Sequence, residues 1–465
     1  MTKVLVIGGG PGGATAATLL AQSGCEVELL EKERFPRYHI GESLASSCRA
    51  LLKHTGAAER IDTLGFPVKT GGLFRWGAES DWIVDWSELF TDDASSWQVN
   101  RAEFDNELLE HAREQGVVVN ECANVRSIEF EGKRPVSAQW SSGSDRGASR
   151  TSRFDFLIDA SGRAGIVSTK YLKNRSQHEI FQNVAIWGYW KGVKLLPDTP
   201  SGGINIVSHP RGWYWVIPLK DGEFSIGFVT HRDLFREDRA RYYNTTELYL
   251  TYLSDSPTIA EQVSDTEFGG RVRVEQDYSY VADSFCGPGY YLVGDAACFL
   301  DPLLSTGVHL ALYSSTLAAA AILSEVRNEI VPSQAQSFYE SMFRGAYARL
   351  LSLVSGVYEK YAGKRNYFWL AHELVHEKDR LSTIADRAAF VELVAGLSDL
   401  QDAVAGRFAE STIEMIDDSV KTRSNSKGHS PIRITPEYLQ DSSSGLQLVL
   451  DPLGVKVPTP LAPTL

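Results

Sequence analysis

No block of lysine and arginine occurs along the 465 residues, and a net charge of -13 with a pI of about 5.3 leaves no clustered positive surface. A phosphate backbone is held by concentrated cationic side chains, so no nucleic-acid partner is expected. No uninterrupted apolar stretch reaches the roughly 18 residues a bilayer span requires, and no membrane partner is expected either. Met1 runs straight into the strand-like Lys3-Val4-Leu5-Val6-Ile7, without a charged region, an apolar region and a cleavage site. There is no Cys-x-x-Cys pair. The five cysteines, Cys25, Cys48, Cys122, Cys286 and Cys298, are odd in number and widely scattered, which reads as reduced thiols in a cytoplasmic protein. Internal repeats are also missing.

What is present is enough apolar material, 43% of residues, for a large core and two or three domains. The chain opens with an apolar run, a glycine-rich turn, an Ala/Leu-rich stretch from Ala14 to Ser23 and a second apolar run from Val27 to Leu30. That order is strand, helix, strand, the first unit of a doubly wound α/β sheet. A helix is expected over Ala102 to Gln115 and a buried strand over Phe154 to Ile158. From about 178 to 230 the pattern alternates, so Ala185 to Trp190, Gly203 to Val207, Trp213 to Ile217 and Phe224 to Val229 read as an antiparallel sheet. Val308 to Val326 reads as a long helix, and 331–420 is helix-patterned almost throughout. The expected organisation is a discontinuous first domain over 1–170 and 275–330, with an inserted segment at about 65–100. An antiparallel layer over 171–274, a helical cap over 331–420 and a loosely attached tail over 421–465 complete it.

Gly8-Gly9-Gly10-Pro11-Gly12-Gly13 carries G-x-G-x-x-G at Gly8, Gly10 and Gly13, directly after a strand and opening a helix. Missing side chains let the backbone turn tightly and bring the free N–H groups of a helix N-terminus against a pyrophosphate. Glu31 ends the second strand, where a carboxylate accepts from ribose hydroxyls and disfavours a 2'-phosphate. Asp159-Ala160-Ser161-Gly162-Arg163 and Gly294-Asp295-Ala296-Ala297 each follow a buried strand and resemble the second and third fingerprints of the FAD-binding monooxygenase superfamily. That resemblance implies FAD, with Asp159, Gly294 and Asp295 at the cofactor.

Four further segments are similar to the flavin-dependent halogenases. They are Phe35 to Leu44, Lys69 with Gly71 to Gly77, the Trp213-Tyr214-Trp215-Val216-Ile217-Pro218 run, and Asp301 to Gly307. W-x-W-x-I-P is that family's signature, and the likeness covers roughly residues 3 to 400. It implies an α/β fold with a Rossmann-like FAD domain, an antiparallel β-sheet substrate layer and a C-terminal helical region. It also implies Arg37, Ser43 and Arg101 at the cofactor and Lys69 as the essential lysine. The segment around Lys69, with Asp277-Tyr278-Ser279-Tyr280, looks closer to members acting on phenols or carrier-bound aromatic acids than to the tryptophan halogenases. In such enzymes halide attacks a flavin hydroperoxide, so an anion site is needed, and the backbone N–H groups of Thr306 and Gly307 could supply one. Lys69 would receive the hypohalous acid and aim it, using chloride or bromide as co-substrate. Trp213 and Trp215, on one face of an extended strand, would wall the flavin from the aromatic ring; ordinary sheet packing accounts for the same pair. A separate flavin reductase is expected, since only one dinucleotide fingerprint is present. An aromatic monooxygenase or a prenyl-type reductase on the same scaffold is the alternative.

His372-Glu373-Leu374-Val375-His376 matches the H-E-x-x-H zinc pattern. The flavin framework accounts for the rest of the chain, and no metal is expected.

Overall fold

The computed structural model describes residues 1–76, 81–86, 94–143, 149–360, 399 and 446–456. The first apolar run forms strand β1 (Lys3–Ile7), the Ala/Leu-rich stretch forms helix α1 (Pro11–Gln22), and the second run forms strand β2 (Glu26–Leu30). Beta-strand β1 lies in a six-stranded sheet, paired in parallel with β2 on one side and with Phe156–Asp159 on the other. Val118–Asn120 and Tyr290–Leu292 extend it in parallel, and Cys286–Gly287 closes one edge in the antiparallel sense. Its strands read as short apolar runs because both faces are buried: helix α1 packs against it, and so does a three-stranded antiparallel sheet of Ala123–Glu131, Arg134–Ser142 and Ser149–Arg153. Helix α1 also packs against the helix Gly307–Val326, where the Ser315 hydroxyl donates to the Gly12 carbonyl at 2.7 Å.

A second sheet has eight strands, built around two long ones, Arg175–Lys191 and Glu267–Ala282, that pair antiparallel. The expected strands Ala185 to Trp190, Trp213 to Ile217 and Phe224 to Val229 are there within Arg175–Lys191, Gly212–Pro218 and Glu223–His231, and Gly203 to Val207 is there from its second residue within Ile204–His209. This layer is mixed rather than wholly antiparallel. Gly71–Arg75, from the inserted segment, joins Ile204–His209 in parallel, a pairing between distant segments that alternation cannot reveal. Strand Gly212–Pro218 buries both faces. Trp213, Trp215 and Ile217 join the main core shared with the first sheet, while Tyr214 and Val216 join a separate cluster under the helices Thr245–Ser254 and Pro257–Gln262. Period-two alternation decides which aromatic faces which layer.

The helix Gly307–Val326 is the one described helix long and apolar enough to cross a membrane, but it lies in the core, with 89% of its most apolar stretch buried. Part of the tail departs from expectation. Gln447–Leu450 and Leu453–Lys456 form a hairpin whose Leu448 and Val455 are buried, and Val455 N–H donates to the Ser324 hydroxyl at 2.7 Å. The apolar runs Leu446 to Leu450 and Leu453 to Val455 on either side of Asp451-Pro452 are a short hairpin signal within a region otherwise read as a loose tail, and a helix surface receives them. Of the expected helical cap, Pro332–Lys360 is described as one helix. The aromatic run Tyr367-Phe368-Trp369 and the H-E-x-x-H segment lie outside the described residues.

Candidate active site

A cavity of about 580 Å³ opens between the two sheets. One end is the turn after β1. Gly8 has φ +107°, and a Cβ there would lie 2.2 Å from the Ala160 carbonyl oxygen; a Cβ on Gly13 would lie 1.9 Å from the Gly8 carbonyl oxygen. Only glycine lets this strand and helix approach so closely. Gly8 and Gly10 line the cavity, whereas Gly13 secures the packing behind it. Gly10 caps α1 in an extended conformation without any side-chain cap, leaving helix N-terminal N–H groups for an anion. The Glu31 carboxylate accepts from Gly9 N–H at 2.6 Å and Glu33 N–H at 2.8 Å, so it braces the turn as well as lining the cavity.

Arg37 and Arg101 converge on one buried carboxylate, Asp105, at 2.8 and 2.7 Å. Burial would raise Asp105, but the Arg101 and Arg37 guanidiniums outweigh it and hold the carboxyl below its ordinary range. Arg101 also donates to the Ile40 carbonyl at 2.8 Å, which fixes the loop carrying Glu42 and Ser43 against the cavity. Gly294 and Asp295 line the wall, and burial raises the Asp295 carboxyl against the opposing charges of Arg163, Arg101 and Arg175. Asp159 does not line the cavity. Its carboxylate accepts from the N–H and hydroxyl of Ser161 and from Val167 N–H, so it organises the turn while Ala160, Ser161 and Gly162 form the surface.

Lys69 reaches the site through a shared edge. Val68–Lys69 pairs antiparallel with Ser96–Trp97, and the loop at Glu42 to Leu44 runs along the same segment, with Val99 N–H donating to the Glu42 carbonyl at 2.7 Å and Leu44 N–H to the Trp97 carbonyl at 3.2 Å. The side chain is 4% exposed, not a solvated surface lysine. Its Nζ donates to Ser43 Oγ at 2.8 Å and the Leu44 carbonyl at 3.1 Å and lies 5.1 Å from the Trp86 ring centre. Burial pushes the amine down to about 7. Lys69 is absent from the cavity wall itself; Ser43, which it holds, is part of it.

Trp213 and Trp215 both line the cavity, their rings 6.0 Å apart, and Trp187 continues the wall 6.2 Å from Trp215. Trp215 lies across Gly227, its backbone partner on the next strand, where a Cβ would come within 2.1 Å of the indole; its Nε1 donates to Ser225 Oγ at 3.1 Å. At the far wall Ser305 turns the chain with φ +59°, Thr306 caps the helix Gly307–Val326 without a side-chain bond, and Gly307 lines the cavity. A Cβ on Gly307 would meet nothing within 4 Å. Thr306 is buried behind that surface. Among the described residues no group of three or more His, Cys, Asp or Glu is placed to hold a metal.

Sequence reasoning passed over Glu42, Tyr189 and Gly227. Glu42 stood inside a quoted motif, and Gly227 interrupts a β-branched and aromatic strand opposite Trp215, a signal of close approach. Tyr189 carries no local signal at all.

The glycine cradle, the free helix N-terminus and the paired arginines fit a dinucleotide pyrophosphate, and the tryptophan wall closes the other side. Fold and site together define an FAD-binding flavoprotein. A family model described as tryptophan halogenase matches residues 3–95 and 90–415. Tryptophan 2-halogenase of Chondromyces crocatus is 44% identical over 425 residues, covering 90% of this chain and 80% of that protein. Sulochrin halogenase gedL of Aspergillus terreus is 38% identical over 380 residues, covering 77% and 69%. Among solved structures, the myxobacterial chondrochloren halogenase CndH matches with a TM-score of 0.75 and 32% identity, covering 97% of this chain and 99% of that one. The chain belongs to the flavin-dependent halogenases, oxidoreductases that act on aromatic substrates with FAD and a halide.

Proposed function

We propose that the protein is a two-component halogenase that places chloride or bromide on an electron-rich ring, phenolic or tethered to a carrier protein, with Lys69 directing the oxidised halogen. A separate reductase delivers FADH2, and the bound flavin supplies the electrons that activate O2. The residues of the chain do the rest. Arg37, Arg101 and the α1 N-terminus hold the anionic part of the cofactor. The backbone at Gly307, open to the cavity at a helix start, attracts the halide. Trp213, Trp215 and Trp187 keep bulk water and the acceptor ring from the cofactor side while a small oxidant passes. Lys69 hydrogen-bonds that oxidant and aims it at the ring.

The observation that carries this reading is Lys69 itself, buried, held by Ser43 and poised at about 7. A surface lysine has none of these properties, and an amine poised near neutrality both donates hydrogen bonds and offers a lone pair. Incubation with a flavin reductase, O2, halide and an acceptor, followed by mass spectrometry, tests it; an oxygenated product formed without halide dependence rejects it. A second substrate reading, free tryptophan, is favoured by the 44% identical relative named tryptophan 2-halogenase. Competition among tryptophan, a free phenol and a carrier-bound tyrosyl group decides between them.

A further inference from the structure

Glu42 is a buried carboxyl with no role in the assignments above. It lines the cavity at 4% exposure, and its Oε2 has no partner in hydrogen-bonding geometry, although the Ser225 hydroxyl is near enough to favour the charged form. Unsatisfied buried oxygens are rare enough to demand an explanation. Its Oε1 accepts from Tyr189 OH at 2.7 Å, and Tyr189 OH lies 2.9 Å from Tyr38 OH. Tyr38 oxygen also accepts from Trp187 Nε1 at 2.9 Å, and the tyrosine lines the same cavity but is 41% exposed. The hydrogen-bond polarity is thereby set. With Glu42 ionised, Tyr38 donates to Tyr189 and Tyr189 donates to Glu42; with Glu42 protonated, both phenols can reverse and Tyr38 donates to water.

Halogenation consumes a proton. Each turnover replaces an aromatic C–H bond by a carbon–halogen bond, oxidises the halide by two electrons and takes two more from reduced flavin. Dioxygen accepts all four and leaves as two waters, which need four hydrogens. The ring supplies one and reduced flavin two, so one proton must enter from solvent. We propose that Tyr38, Tyr189 and Glu42 form a proton wire that carries this proton along the cavity wall from its exposed part to its buried part, a role that rests on the halogenase reading. Glu42, whose Oε2 is buried at rest, releases its proton at the cavity wall once the carboxyl turns toward it. Water then protonates Tyr38 while Tyr38 hands its own proton to Tyr189 and Tyr189 its own to Oε1 in concert, so neither phenol, each held neutral by burial, becomes a phenolate, and rotation of the carboxyl restores the starting state.

The surroundings suit the inner terminus. Burial pushes Glu42 up to about 7, against the hydrogen bonds from Tyr189 and Ser225 and the charge of Arg101, while Glu223 adds to the rise. An acid poised near the working pH both gives and regains a proton readily. Trp215 joins the arrangement indirectly, because its Nε1 donates to the same Ser225 hydroxyl.

Glu42→Gln keeps the shape and still accepts from Tyr189 but cannot carry a proton; Tyr189→Phe cuts the wire and leaves Glu42 in place. In apoprotein labelled with [13C]glutamate, infrared titration is expected to show one carboxyl titrating near neutrality, absent in Glu42→Gln and moved to higher pH in Tyr189→Phe. In holoenzyme with reductase, halide and O2, both variants are expected to lose about 100-fold in kcat for halogenation with halide KM unchanged and an altered solvent deuterium isotope effect. A halogenating wild type whose two variants keep its kcat and isotope effect, or whose Glu42 titrates at the ordinary 4.5, overturns the wire alone. Oxygen insertion without halide dependence by the wild type overturns the halogenase reading and the wire with it.

Discussion

Lys69 Nζ donates to Ser43 Oγ at 2.8 Å, so a lysine outside the cavity wall is tied to a residue that forms it. Ser43 follows Glu42 directly, and burial drives the two ionisable groups toward the same value from opposite sides, both to about 7. Titratable groups brought to neutrality by their surroundings are candidates for proton exchange.

Replacing Lys69 with alanine is expected to leave FADH2 oxidation by O2 intact and to reduce halogenated product by at least about 100-fold, since the oxidant loses the group that orients it. Oxygen consumption and product mass spectrometry, run on the same samples, check the split. Halogenation at the wild-type rate would remove Lys69 from the mechanism.

The same lysine carries a stability cost. Its folded value is depressed from 10.5 to about 7, so the stability of its neutral form is fully present above 10.5 and is lost as pH falls through 7. Lys69→Met removes the titration and fills the space with an apolar chain. The variant is expected to melt higher than wild type at pH 7, with the gap shrinking toward pH 10 by at most about 1.4 kcal/mol per pH unit. Calorimetry at several pH values measures the slope.

Gly307→Ala separates halide binding from folding. The added methyl meets nothing within 4 Å, and the first position of a helix tolerates alanine, so stability is expected to hold or rise by about 0.5 kcal/mol. The methyl nevertheless faces the cavity where the halide is proposed to bind. A raised halide KM with an unchanged melting temperature supports that placement; an unchanged KM moves the halide elsewhere.

Trp215→Leu opens the wall beside Gly227 and strips Ser225 of its Nε1 donor. The expected result is a larger share of turnovers ending in hydrogen peroxide or oxygenated product, together with about 2 kcal/mol of lost stability from the vacated volume. Peroxide assays against halogenated product report the partition. Lost stability without any change in partition would return Trp215 to packing alone.

Local pattern made much of this legible. The turn at Gly8 to Gly13 could be read because close strand–helix approach admits only glycine, and the strand at Trp213 to Pro218 because alternation assigns alternate aromatics to opposite faces. The helix Gly307–Val326 was readable from its apolar length. By contrast, the parallel pairing of Gly71–Arg75 with Ile204–His209 joins segments more than a hundred residues apart, and the hairpin at 447–456 is stable only against a helix surface. The pairing leaves no periodic trace, and the hairpin leaves only the short alternation of Leu453-Gly454-Val455-Lys456.

The sequence by itself determined the cofactor cradle and the identity of the chemical groups, since backbone sterics and side-chain chemistry are local. Tertiary structure decided their charge states and contacts. It turned Asp159 inward to hold a turn, buried Lys69 and Glu42 until both shifted toward neutrality, and set Tyr189 between Glu42 and Tyr38. Burial and electrostatics are sums over neighbours that only the folded chain assembles.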